Sequence, residues 1–231
     1  MPHPLLIGYI VGYIGLHSLL ASLPFKAWVQ RWAGAGAMRW YRLAYNLVAA
    51  VLLLPLPILL ALLPDVPLYR APEPFNWVLL AGQLAALGGL LYTLRHTDLN
   101  YFMGLAQLRQ LHIHPPANTI ATARHSVDPD DPDPSAGDDA LITTGIYGWV
   151  RHPLYFFSIL LIWLSPVMSA NLLALNILLT MYMYIGSYHE EHRLLRIFGA
   201  EYHAYQQRVP RLVPRVLAFG KRPSAVNEKE G

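Results

Sequence analysis

Cysteine is missing from all 231 residues, which excludes disulfides, thiolate metal sites and a cysteine nucleophile. Charge is scarce as well: Asp, Glu, Lys and Arg make up 13% of the chain, against 55% hydrophobic residues. That balance excludes an ordinary soluble domain and implies a bilayer as solvent. From Leu154 to Gly186 there is no Asp, Glu, Lys, Arg or His at all. No glycine-rich phosphate loop follows a strand-like run, and strands do not alternate with helices, so a soluble Rossmann-type domain has no place for its sheet. The net charge of +3 does not point to nucleic acid, because the basic residues flank apolar runs.

Three apolar runs fill the N-terminal part: Leu5 to Leu23, Leu43 to Leu63 and Trp77 to Leu94. The first is expected to be a retained anchor and not a cleaved signal, because Lys26 and Arg31 follow it and no Lys or Arg precedes it. Pro55 and Pro57 predict a kink in the second. The run from Leu154 to Gly186 is too long for one crossing. Ser165-Pro166 and Ser169-Ala170-Asn171 break it, which predicts a helical hairpin with short arms, spanning or re-entrant. The hairpin returns the Arg151-His152-Pro153 end beside Glu190-Glu191. The expected fold is therefore all-α and polytopic, with five transmembrane helices, the last two a hairpin, and a cytoplasmic C-terminal helix. One domain covers 1–231: a three-span part (1–95), a connector (96–140), a core (141–215) and a tail (216–231).

Sixteen of the 17 Lys and Arg residues fall between the first two runs, between the third run and the hairpin, or after the hairpin, leaving Arg70 alone opposite. The positive-inside rule then sets the N-terminus outside and the C-terminus in the cytoplasm. Asp128 to Asp139 alternates acid with proline and glycine, which predicts a flexible loop and disfavours the tight winding of a calcium loop. The residues from Lys221 onward read as a polar tail. His112, His114, His125 and the His189-Glu190-Glu191-His192 quartet lack the H-E-x-x-H spacing, so no metal is expected.

The residues at the two ends of the hairpin admit bland readings as well as functional ones. Arg151 at a helix mouth serves equally as a topology determinant. Glu190 and Glu191 can form helix salt bridges. Tyr147, Tyr155, Tyr182 and Tyr188 can be interfacial belt aromatics. In the N-terminal part, His17-Ser18 lies within the first run, and Arg39, Tyr41, Arg42, Tyr45 and Asn46 lead into the second. Polar groups inside a membrane are functional candidates, though His17 serves equally well as a satisfied packing residue.

Two blocks together resemble a known family. Gly145, Tyr147, Arg151, His152, Pro153 and Tyr155 form G-x-Y-x-x-x-R-H-P-x-Y. Glu190, Glu191, Leu194, Phe198, Gly199, Tyr202, Tyr205, Val209, Pro210 and Arg211 follow in order. The pattern resembles the membrane methyltransferases related to isoprenylcysteine carboxyl methyltransferase and the phospholipid methyltransferases, over about a third of the chain. The HSLLAS and YRLAYN segments are similar to a bacterial branch with methanethiol S-methyltransferase and membrane proteins of nitrogen-oxide respiration. The eukaryotic prenylcysteine enzymes carry an arginine just before their acidic run, where this chain has Gly186, and the resemblance does not extend to prenylcysteine methyl-ester formation.

What the resemblance implies is an S-adenosylmethionine-dependent enzyme of a bacterial inner membrane, with the bilayer and a small or lipid-soluble acceptor (thiol, carboxylate or lipid head group) as partners. It implies cofactor contacts at Gln107, Leu141, Ile142, Tyr147, His152, Pro153, Leu154, Tyr155 and Glu190. Arg151 is expected to clamp the cofactor's carboxylate through its planar fork, and Glu191 or His152 to serve as base if one is needed. His17, Arg42 and Tyr45 are the acceptor-binding candidates. Two other classes remain open: an NADPH-dependent membrane reductase of the sterol-reductase type, whose chains are longer, and a non-catalytic membrane binding protein.

Overall fold

The computed structural model describes residues 1–95, 99–105 and 141–215. The acidic loop, Gln107, His112, His114, His125 and the tail from 216 onward lie outside the described residues. Helix α1 (Pro4–Ala21) begins with proline in its first turn, where a missing N–H costs nothing, and the His3 side chain accepts from Leu5 N at 3.3 Å. Ser22 closes α1 and opens α2 (Leu23–Ala33) by accepting from Phe25 N. Gly34, with φ 79°, turns the chain into α3 (Ala35–Leu53). Pro55 then interrupts the ladder as expected, and α4 (Pro55–Leu62) continues the same rod with a break at Leu54. The Tyr9 hydroxyl donates to the Leu52 carbonyl beside that break.

Strand β1 (Pro67–Arg70) and helix α5 (Phe75–Leu94) follow, then the short α6 (Leu99–Met103). Gly104, with φ 89°, lies against the backbone of Arg42 and Leu43 so closely that a Cβ would come within 2.5 Å of Leu43 N. After a 3-10 turn (Gly145–Gly148) come α7 (Pro153–Trp163), β2 (Val167–Ser169), α8 (Ala170–Phe198) and α9 (Ala200–Arg208).

Among the described residues, four stretches are long and apolar enough to cross a membrane: Pro4–Ala21, Gly36–Leu62, Phe75–Leu94 and Ala170–Phe198. The hairpin forms where Ser165 and Pro166 interrupt the chain, but its arms are unequal. Helix α7 has 11 residues, a length of about 16 Å, roughly half the hydrocarbon thickness. Helix α8 has 29 residues, about 44 Å, so it carries Glu190 and Glu191 well past the apolar run. The expectation of two short arms holds for α7 and not for α8, because the helix-favouring HEEHRLLRIF segment adds further turns before Gly199 ends it.

Small residues set the packing of α7. The Phe157 ring lies on Gly89 of α5, where a Cβ would meet it at 2.3 Å, and Leu164 covers Gly82. Gln83 Nε2 donates to the Leu161 carbonyl at 2.9 Å. Leu6, Ile10 and Leu175 join α1 to α8, with Leu56, Leu59 and Leu60 of α4 packed around them.

The chain also contains a two-stranded sheet that its sequence pattern does not announce. β1 and β2 pair antiparallel, Pro67 with Ser169, Tyr69 with Met168 and Arg70 with Val167. Beside it, fully buried Asn171 accepts from His3 N at 2.7 Å and donates to the Pro64 carbonyl at 3.2 Å, while its own N–H donates to Asp65 at 3.0 Å. This knot fastens the start of α1, the α4–β1 loop and the start of α8 at the hairpin's closed end. The open end is thereby left for Arg151 and the two glutamates.

Candidate functional site

Pro153 occupies the first turn of α7 and is buried, which presents Arg151 and His152 immediately outside the helix. On α8 the consecutive Glu190 and Glu191 point in different directions, about 100° apart around the axis. His152 lies between them. Its Nε2 is 3.3 Å from Glu191 Oε1 and its Nδ1 is 3.3 Å from Glu190 Oε2. The Tyr155 ring stacks on the His152 ring, centroids 5.4 Å apart and planes 9° from parallel. Burial disfavours the charged imidazolium, yet its hydrogen bonds to the carboxylates of Glu190 and Glu191 hold the His152 pKa above its ordinary value.

The two carboxylates differ in exposure. The Glu191 side chain is 9% exposed and that of Glu190 is 48% exposed. Glu191 is consumed by the protein: Arg151 Nε donates to its Oε1 at 2.7 Å, Arg151 Nη2 approaches the same oxygen at 2.6 Å, and Gln206 Nε2 donates to Oε2 at 3.1 Å. Arg151 Nη1 donates to the carbonyls of Gln206 (3.0 Å) and Val209. Every guanidinium nitrogen of Arg151 therefore faces a protein acceptor. Arg151, expected to clamp the cofactor's carboxylate, is here engaged by a carboxylate and two carbonyls of the protein.

The segment after α9 completes the wall. The N–H groups of Arg151 and His152 donate to the carbonyls of Pro210 and Arg211 at 2.9 and 3.1 Å. Tyr205 donates to the Tyr147 carbonyl at 2.6 Å, and burial pushes its phenol up to about 12, so it stays a neutral donor. Leu141 packs against the buried Tyr202, Tyr205 and Val209, while Ile142 is exposed beside it. The structure thus brings Leu141, Tyr147, His152, Pro153, Tyr155 and Glu190 to one end of the bundle, with Leu154 in the first turn of α7. Gln107 is outside the described residues.

His17, Arg42 and Tyr45 lie on α1 and α3. The Tyr45 hydroxyl is 2.7 Å from His17 Nε2, Tyr13 stacks on His17 at 5.7 Å, and Tyr182 meets it edge-on at 6.1 Å. Arg42, half-buried one turn before Tyr45, is within electrostatic reach of it. Tyr155 in turn interacts electrostatically with Glu190, Tyr182 and Tyr45. A line of polar aromatics therefore runs from the glutamates into the bundle. Gln206, Tyr13 and the carbonyls of Val209 and Pro210 were not legible in the sequence. Nothing distinguishes Gln206 from Gln207 except which face of α9 meets α8.

The site presents a half-exposed carboxylate beside a stacked imidazole and phenol. This suits a ligand with hydroxyls and a planar ring, and it suits a cation near aromatic faces.

Comparison with known proteins bears on the same residues. The Phospholipid methyltransferase family model matches residues 133–201. Methanethiol S-methyltransferase 1 of Bradyrhizobium diazoefficiens is 42% identical over 69 residues, 30% of this chain and 24% of that protein. Methanethiol S-methyltransferase 2 of the same organism is 28% identical over 202 residues, 87% of this chain and 69% of that one. Methanethiol S-methyltransferase of a Pseudomonas species is 43% identical over 70 residues, 30% of this chain and 27% of its own length. The match thus spans only about a quarter of the first and third relatives and about two thirds of the second. No solved structure matches. The Arg-His-Pro and Glu-Glu blocks that meet in space lie within the matched segment, and that segment is similar to the phospholipid methyltransferase family and to methanethiol S-methyltransferases.

Proposed function

We propose that this protein transfers a methyl group from S-adenosylmethionine to a small or lipid-soluble thiol. The observation that carries the reading is His152, stacked on Tyr155 and bridged between the exposed Glu190 and the buried Glu191. The activity for which the relatives are named, S-methylation of methanethiol, supports a thiol over a carboxylate or a lipid head group.

When bound, the cofactor supplies an electrophilic methyl group on a sulfonium centre. Glu190 accepts hydroxyl hydrogens at the mouth, Tyr155 and His152 offer ring faces, and Leu141, Ile142, Tyr147 and Leu154 form the surrounding wall. Glu191 and Arg151 orient His152 and do not touch the reacting atoms. His17, with Tyr45 and Arg42, receives the acceptor on the membrane side. As the acceptor's S–C bond forms, the methyl group's bond to the cofactor sulfonium would break and leave a neutral thioether, and the thiol would give up one proton, which the His17–Tyr45 pair or His152 can take. The protein's work is alignment and exclusion of water.

The sixteen-to-one distribution of Lys and Arg supports a cytoplasmic C-terminus and an outside N-terminus in a bacterial inner membrane. The decisive experiment is calorimetry of the purified protein with S-adenosylmethionine and NADPH, followed by turnover with labelled cofactor and methanethiol. Binding of NADPH alone would replace this reading with a reductase. Binding of S-adenosylmethionine without turnover on any thiol would leave a binding protein.

A further inference from the structure

No carboxylate answers the charge of Arg211 among the described residues. Its guanidinium carbon lies 3.5 Å above the Tyr188 ring centroid and 5.1 Å from that of Tyr184. Its Nη1 is buried with no hydrogen-bond partner among the described residues. The Tyr184 and Tyr188 hydroxyls are 3.0 Å apart. One donates to the other, so one phenolic hydrogen is left over beside the guanidinium. The backbone of Arg211 is pinned, since its carbonyl accepts from His152 N. Glu191, the buried acid nearby, is already taken by Arg151 and Gln206.

Below the tyrosines the same face of α8 is apolar and uncovered. Ile177, Met181 and Ile185 follow Tyr184 and Tyr188 at helical spacing and are 43%, 55% and 51% exposed. Arg211 is partly exposed, and a guanidinium stacked on a ring still presents in-plane N–H donors to an anionic oxygen. Paired tyrosines over an apolar stripe are the arrangement found where head groups meet acyl chains.

We propose that Arg211, Tyr184 and Tyr188 form a binding site for the phosphate of an anionic membrane phospholipid, whose acyl chains lie along Ile177, Met181 and Ile185. The site adjoins the proposed cofactor wall, to which Arg211 contributes its backbone carbonyl, and does not depend on the methyl-transfer reading. An anionic lipid is favoured over a zwitterionic one because the arginine then meets no competing head-group cation. Arg208 and Arg215 lie close to Arg211 in the chain and add positive charge to this segment.

The test is native mass spectrometry of the full chain in detergent with phosphatidylglycerol, phosphatidylcholine or glycerol 3-phosphate. Wild type retains phosphatidylglycerol, and Arg211→Gln, which preserves the backbone carbonyl, retains it about tenfold less, as expected for loss of a charge-assisted contact. Retention of phosphatidylcholine stays low and equal in both. Equal phosphatidylglycerol retention by wild type and the folded variant overturns the site. Displacement of the lipid by glycerol 3-phosphate shows a free-phosphate site instead, and a loss of S-adenosylmethionine affinity with lipid retention unchanged assigns Arg211 to the cofactor. Should Arg211→Gln not fold, Tyr188→Leu removes the stacking ring while keeping the apolar face, and it must lose phosphatidylglycerol in the same way.

Discussion

Arg151 Nε donates to Glu191 Oε1 at 2.7 Å across 40 residues of chain, and both side chains are 9% exposed. This pair is the rivet of the hairpin's open end. Breaking one half of a buried pair leaves an uncompensated charge at a cost of about 3–5 kcal/mol, whereas replacing both by apolar groups is often near neutral. Arg151→Ala is therefore expected to lower detergent-phase thermal stability severely, and Arg151→Met with Glu191→Leu to recover most of it. If the single variant melts with wild type, the pair is not structural and the clamp role for Arg151 returns.

Glu190 is half-exposed and makes no contact comparable to those of Glu191. Glu190→Gln is expected to leave the melting temperature nearly unchanged while weakening S-adenosylmethionine binding by about tenfold or more, the usual worth of a charged acceptor. Calorimetry on the two proteins decides it, and equal affinities would reduce Glu190 to a partner of His152.

The pH dependence of stability follows from His152. Its folded pKa lies above the ordinary histidine value because Glu190 and Glu191 outweigh burial. The stabilisation it contributes is full below about pH 6.5, the unfolded value, and is lost as pH rises through the raised folded value. The melting-temperature advantage of wild type over His152→Gln is thus expected to shrink as pH rises above about 6.5. An advantage that stays constant over that window would mean the imidazole is neutral throughout.

Adjacent glycines on α5 are expected to respond oppositely. A Cβ at Gly89 would press into Phe157 at 2.3 Å, while one at Gly88 meets nothing within 4 Å. Gly89→Ala should destabilise by about 1–3 kcal/mol through overpacking, and Gly88→Ala should be neutral or mildly stabilising through helix propensity. Melting curves that rank the two the other way would remove α7 from its seat on α5.

The membrane class, the three N-terminal apolar helices and the pairing of the Arg-His-Pro block with the Glu-Glu block were all readable from the chain. Each depends on local composition: runs of apolar residues demand a bilayer, and a serine-proline break in an uncharged run forces a return. The same local logic located the interruption at Pro55, since proline removes its own N–H wherever it stands. Which glutamate is buried and which is presented was beyond it, because Glu190 and Glu191 are chemically identical neighbours and only the rotation of α8 against α7 separates them. The Asn171 knot and the β1–β2 ribbon likewise arise from pairings more than 90 residues apart, between segments with no complementary pattern of their own. Arg151 shows the division most sharply. Its sequence position put it at the mouth, but its role depends on how many acceptors surround a planar cation, and those acceptors are carbonyls of Gln206 and Val209. Main-chain oxygens are present at every residue, so no sequence pattern marks the ones that folding brings to a guanidinium.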